Sequence, residues 1–210
     1  MSSCPGQNFG KDAVVMSGVT IYLSRDVQVR IPDFTLKQGE IKALVGRNGS
    51  GKTTALTAIL GLVPSYSGQI EYFGRELVAA HPAVPVNDAL GVQDFLGAVC
   101  KFRSGNPLEL AEWCGQTKID TLKNRLISRL STGQRKKVEL IAALISITDC
   151  DNVLLLDEPT NGLDEDALTW LADLLRELQK NGTPILMCSH DDEFLDQIGA
   201  ERINMTRVVS

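Results

Sequence analysis

The sequence predicts an α/β fold, in which a parallel sheet covered by helices carries a flanking antiparallel β layer and a helical insertion. Three observations lead there. A short apolar run, Ile41 to Val45, passes through a glycine-rich turn into helix-forming residues at 53–60. Helical and buried-strand patterns then alternate from Thr132 to Cys188 in a βαβ rhythm. Upstream, residues 14–23 and 27–36 are β-rich with the alternation of half-buried strands.

In chain order, residues 1–12 read as a loose tail. The runs 14–23 and 27–36, separated by the polar Ser24-Arg25-Asp26, are expected to pair antiparallel. After a turn at Gln38-Gly39 comes the buried-type strand at 41–45, and residues 69–73 give another strand. From Asp88 to Arg129 the pattern turns helical, with Phe95, Leu96, Val99 and Phe102 at helical spacing. Residues 88–130 are therefore expected to form a helical subdomain inside one domain spanning 1–210. A helix at 132–147, an apolar strand at 153–156, a helix from Glu165 to Lys180 and a strand from Ile185 to Cys188 complete the series.

The 210-residue chain is 43% hydrophobic and 22% charged, which suits a folded domain and excludes a disordered one. A net charge of −5 argues against a broad nucleic-acid face, so no nucleic-acid partner is expected. A local basic patch, such as Arg135-Lys136-Lys137, is compatible with that charge. Cys4, Cys100, Cys114, Cys150 and Cys188 are odd in number and contain no C-x-x-C pair, which points away from a disulfide framework or a zinc site and toward a reducing cytosol. The longest apolar stretch, near 138–147, is well short of the ~20 residues that cross a bilayer. Any membrane role is expected to come through a partner.

Gly46-Arg47-Asn48-Gly49-Ser50-Gly51-Lys52-Thr53 fits the phosphate-loop pattern G-x-x-x-x-G-K-[ST], between the strand and helix that it requires. Glycines let backbone N–H groups turn toward phosphates at the positive end of a helix. Lys52 is expected to reach the β- and γ-phosphates, and the Thr53 hydroxyl to ligate Mg²⁺, with Thr54 beside it in the nucleotide site. A phosphate-loop nucleoside-triphosphatase core follows. Asp157 and Glu158 end the apolar strand at 153–156, where ligands of open α/β sheets collect. Asp157 is assigned to the Mg²⁺ shell and Glu158 to orienting and deprotonating the attacking water.

With Leu130-Ser131-Thr132-Gly133-Gln134 the sequence resembles the ABC ATPase family, whose signature pentapeptide has leucine, serine, two glycines and glutamine. Thr132 stands in place of the first glycine. The order of motifs matches the family from about residue 14 to residue 205. Asn161-Gly162-Leu163-Asp164 resembles the loop in which an aspartate seals the dimer, although Asp164 also stands where it could cap the following helix. His190 is similar to the family's switch histidine, which contacts the γ-phosphate and the catalytic water.

The resemblance implies ATP and Mg²⁺ as cofactors and two cassettes, homodimeric or heterodimeric, facing head to tail. Ser131, Gly133 and Gln134 of one would then complete a site built by Lys52, Asp157, Glu158 and His190 of the other. Two departures stand out. The family's lid glutamine falls near His81, after an apolar strand; an imidazole is a poor Mg²⁺ ligand but can hold a metal-bound water, and Gln93 competes for the place. Tyr22 lies near the position of the family's adenine-stacking aromatic residue, where packing within a strand is the other reading. The leading expectation is a cytosolic energy-coupling subunit, peripheral on the membrane and bound to a separate transmembrane permease. The compact insertion leans toward an exporter-like cassette. The alternative is a non-transport ABC ATPase acting on a protein or ribonucleoprotein partner.

Overall fold

Two sheets sandwich a shared apolar layer, and the period-two alternation along their strands explains how. The computed structural model describes residues 10–24, 27–74, 76–81, 86–145, 147 and 152–206. Most of the expected tail, Cys4, Cys150, Pro82 and Arg25-Asp26 lie outside the described residues.

The antiparallel sheet is built on β1 (Asp12–Tyr22). Two short strands, β2 (Gln28–Arg30) and β3 (Phe34–Lys37), follow one another along one of its edges. The strand β5 (Tyr66–Tyr72) takes the other edge, so that Val14 opposes both Leu36 and Tyr72. The single strand expected at 27–36 is therefore broken in two. Pro32 has no N–H for the ladder, and the Asp33 carboxylate beside it accepts instead from the Gly18 amide at 2.7 Å.

The second sheet is wholly parallel. Its strand order is β6 (Leu77–Ala80), β7 (Val153–Asp157), β8 (Ile185–Cys188), β4 (Ile41–Val45) and β9 (Glu201–Asn204). Ile41, Ala43, Leu154, Leu156, Ile185 and Met187 face one side, against α4 (Thr132–Leu144) and α5 (Glu165–Lys180). Leu44, Val153, Leu155, Leu186 and Cys188 face the other. There they meet Ala55, Leu56 and Ile59 of α1 (Lys52–Ile59) and the Val14, Met16, Ile21 and Leu36 face of the antiparallel sheet. Burying one such leucine contributes about 1.5–3 kcal/mol. This packing holds the C-terminal ends of β4, β7 and β8 side by side.

The segment 88–130 contains α2 (Val92–Phe102), α3 (Pro107–Gln116) and two 3-10 turns, Ile119–Leu122 and Ile127–Arg129. It meets α5 through an edge-to-face pair, Trp113 on α3 and Trp170 on α5, with ring centroids 6.3 Å apart. The helix expected at 132–147 ends earlier, with Ile145 as its C-cap. The chain closes with α6 (Asp192–Ile198) and β9, neither of which the sequence pattern had indicated. The arrangement is the α/β fold expected, with its antiparallel layer and helical insertion.

Candidate nucleotide site

The phosphate loop follows β4 directly and delivers the chain into α1. Gly51 is the N-cap of α1 with φ 94, and no side chain caps that end. Its amides are thus left facing the loop's mouth, as an anion requires. A Cβ at Gly51 would run into Val29 of β2, so the antiparallel sheet also fixes this glycine. Lys52 is nearly buried; its Nζ donates to the Gly46 carbonyl at 3.0 Å and lies 3.7 Å from Glu158 Oε1.

Side chains from three elements converge here. The Thr53 hydroxyl on α1 donates to the Asp157 carboxylate, 3.0 and 3.1 Å from its two oxygens. Glu158, the next residue, sits at φ 45, a left-handed conformation costing a non-glycine residue on the order of 1–3 kcal/mol. Its N–H donates to the Cys188 carbonyl at 3.0 Å, and its Oε2 lies 2.8 Å from His190 Nδ1. One carboxylate is thereby held between an ammonium and an imidazole. Burial, with Asp157 and Glu158 adding to it, pushes the Cys188 thiol well up, so it stays protonated beneath the pair. Asn48 to Thr54, Glu158, Asn161 and His190 line a cleft of ≈ 410 Å³.

The residues of the Leu130–Gln134 segment stand apart. Ser131 caps α4 in a full capping box: its Oγ accepts from the Gln134 N–H at 3.3 Å, and Gln134 Oε1 accepts from the Ser131 N–H at 3.1 Å. Ser131, Gly133, Gln134, Lys137, Gly162 and Asp164, with 3-10-turn residues, line a second pocket of ≈ 390 Å³. Gly133 packs so tightly on Gly162 that a Cβ there would strike the Gly162 carbonyl oxygen. Asp164 does cap α5, accepting from the Ala167 N–H at 3.1 Å, and it pairs with Lys137 at 2.8 Å. The Lys137 hydrogen bond, with the Ala167 amide and Lys118 assisting, holds its carboxyl below the usual aspartate value despite partial desolvation.

His81 and Tyr22 line neither pocket. His81 is buried under α1, its Nε2 3.2 Å from the Thr57 hydroxyl, which itself donates to the Thr53 carbonyl at 2.7 Å. Thr57 thereby links it to Thr53. Tyr22 ends β1 with its hydroxyl 3.2 Å from Ser67 Oγ. The basic run Arg135-Lys136-Lys137, expected as a possible patch, is turned inward. Arg135 pairs with Asp88 and Glu139, Lys137 with Asp164, and Lys136 donates to the Asp157 carbonyl at 2.6 Å. Burial pushes the Lys136 ammonium below its ordinary value, against the opposing pull of Glu139, Asp157 and Glu158. Asn161, read from sequence only as part of a loop, lines the cleft, and Lys136, read only as part of a basic run, reaches the Asp157 carbonyl beside it.

A glycine loop feeding a helix, with two acids ending the neighbouring parallel strand, defines a phosphate-loop nucleotide-binding protein. Residues 29–161 match the family model described as ABC transporter, and the chain belongs to that family. It is an ABC ATPase cassette. An ABC transporter ATP-binding protein of Haemophilus influenzae is 32% identical over 190 residues, covering 82% of this chain and 85% of the relative. Among solved structures, the ATP-binding subunit of an ABC transporter superposes with a TM-score of 0.78 at 19% identity, covering 93% of this chain and 86% of that one. The RNase-L Inhibitor also gives 0.78, at 22% identity, covering 92% of this chain and 37% of that one. At these identities the two structures speak for the fold alone.

Proposed function

We propose that the chain hydrolyses ATP with Mg²⁺ as the energy-coupling subunit of a transporter, peripheral on the cytoplasmic face of a membrane and bound to a separate permease. The observation that carries the hydrolysis is the Glu158 carboxylate, 3.7 Å from Lys52 and 2.8 Å from His190 at the mouth of the loop. Lys52 and the loop amides hold the phosphates, Glu158 takes the proton of the attacking water, and His190 orients that water with it. Thr53 and Asp157 offer hard oxygens side by side, the donor set Mg²⁺ prefers. Among the described residues no cluster of three or more His, Cys, Asp or Glu could hold a metal by itself. Nucleotide phosphates would therefore complete the shell, and Mg²⁺ there would neutralise charge developing between them.

The second pocket supports a head-to-tail pair of cassettes. Its Ser131 Oγ accepts within the cap, which leaves the hydroxyl proton to donate to a phosphate oxygen. No described helix is long and apolar enough to cross a membrane, so a separate permease is part of the proposal. The short insertion supports an exporter-like cassette by analogy of fold. Steady-state ATP hydrolysis tests the chemistry. Lys52→Ala should lose ATP binding, while Glu158→Gln should bind ATP and turn over at least ~100-fold more slowly. Equal turnover in Glu158→Gln and the parent would refute the assignment. Co-purification with an integral membrane protein tests the coupling; recovery with ribosomes or soluble protein instead would favour a non-transport ATPase.

A further inference from the structure

We propose that Lys136 is a positioning residue for hydrolysis, tying the helix that starts at Ser131 to the peptide unit that aims Glu158. The inference rests on the ATPase reading above and adds a residue to it.

Three consecutive cations on α4 point about 100° apart and reach three different places. Arg135 ties the helix to Asp88, where the helical segment begins, and Lys137 ties it to the Thr117 carbonyl and to Asp164. Lys136 goes to the site itself, its Nζ 2.6 Å from the carbonyl oxygen of Asp157. That oxygen belongs to the same peptide unit as the Glu158 N–H, which donates to Cys188 at 3.0 Å. In a trans peptide the C=O and N–H point opposite ways. The N–H is engaged on the β8 side, so the carbonyl points toward the β6 side. There the ladder has run out, because β6 ends at Ala80, opposite Leu156. Lys136 supplies a charge-assisted donor where the sheet no longer offers one.

The unit is thus pinned from two sides, by β8, which leads into His190, and by α4, which Ser131 caps. Its next residue is Glu158, with φ 45. A small tilt of this peptide swings the carboxylate about a strained backbone. Lys136 lies five residues from Ser131 on a helix whose start is locked by the capping box. A shift of the Ser131 loop, when it seats on a nucleotide, therefore moves the Lys136 amine and with it the aim of Glu158. One protomer's recognition loop would set the readiness of its own hydrolytic carboxylate.

The test uses the full chain, with steady-state hydrolysis, binding of a fluorescent ATP analogue and urea denaturation. Lys136→Met should lower kcat ~10–100-fold, the range for a misaimed group, with KM and analogue affinity within about two-fold of the parent. Lys136→Arg should recover most of the loss. In a Glu158→Gln background, Lys136→Met should add less than about two-fold, because its effect runs through Glu158. Should Lys136→Met fail to fold, Lys136→Gln takes its place with the same expected loss. A parental kcat in the folded charge-less variant overturns the proposal, as does a loss that Lys136→Arg does not repair or that persists in full without Glu158. If Glu158→Gln itself hydrolyses like the parent, the ATPase assignment of Glu158 fails first; if Glu158→Gln is impaired and Lys136→Met is not, only Lys136 is at fault.

Discussion

The cleft at the phosphate loop and the pocket at Ser131 are nearly equal in volume, ≈ 410 and ≈ 390 Å³, yet their side chains are engaged in opposite ways. In the first, reactive groups hold one another: Lys52 and His190 converge on Glu158, and Thr53 on Asp157, around a residue with left-handed backbone. In the second, polar groups also hold local structure, Ser131 and Gln134 in a capping box and Asp164 in a second cap and an ion pair. Under the proposed function, the difference separates chemistry from recognition within one chain. The left-handed residue then lies where the proposal puts the chemistry, and the capped helix start where it puts the ligand contact.

Substitutions in each pocket sharpen or break that separation. The largest effect is expected from Ser131→Arg, which fills the recognition pocket. It should lower turnover by ~100-fold or more, as loss of a charge-stabilising donor does, and keep the protein monomeric with ATP in light scattering while Glu158→Gln dimerises. Normal hydrolysis by Ser131→Arg would show that one cleft suffices alone. Next is Gly133→Ala. Its methyl meets the Gly162 carbonyl, so urea denaturation should report a loss of about 1–3 kcal/mol with analogue binding at the phosphate loop retained.

His81 asks whether the first pocket extends beyond its lining. His81→Ala should leave ATP binding intact and lower turnover by ~10-fold, in the range for a residue behind a metal ligand. His81→Gln should match or exceed the parent, with tighter Mg²⁺ dependence. Parental kinetics in His81→Ala would leave it a structural role beside Thr57. The smallest effect is at Asp164, whose carboxyl is held below its unfolded value by Lys137. A depressed folded pKa contributes stability above pH about 4, lost as pH falls through the folded value. Asp164→Ala should cost about 1 kcal/mol at neutral pH through the lost cap, and less in acid. Asp164→Asn, still a good cap, should lose only the half-exposed ion pair and flatten the acid dependence. A steeper acid slope in Asp164→Asn would contradict this.

The first pocket was legible in the sequence because its parts are contiguous. Residues 46–53 and the pair Asp157-Glu158 each carry a local pattern, and α5 follows from apolar residues that recur every three or four positions. What escaped is what the pattern does not encode locally. The break at Pro32 depends on how Asp33 meets Gly18 across the sheet. β9 is an edge strand in which only Ile203 is buried, and α6 has only seven residues, so neither offers enough period to see. Lys136 looked like surface charge because its acceptor is a main-chain oxygen 21 positions away, and main-chain acceptors leave no mark in composition.

The two tryptophans of the chain, Trp113 and Trp170, are one edge-to-face pair across the seam between α3 and α5. Tryptophan emission, excited apart from the three tyrosines, therefore comes from that single joint. A spectral shift on adding nucleotide would need no label and would report a changed environment at the seam between the helical segment and the core.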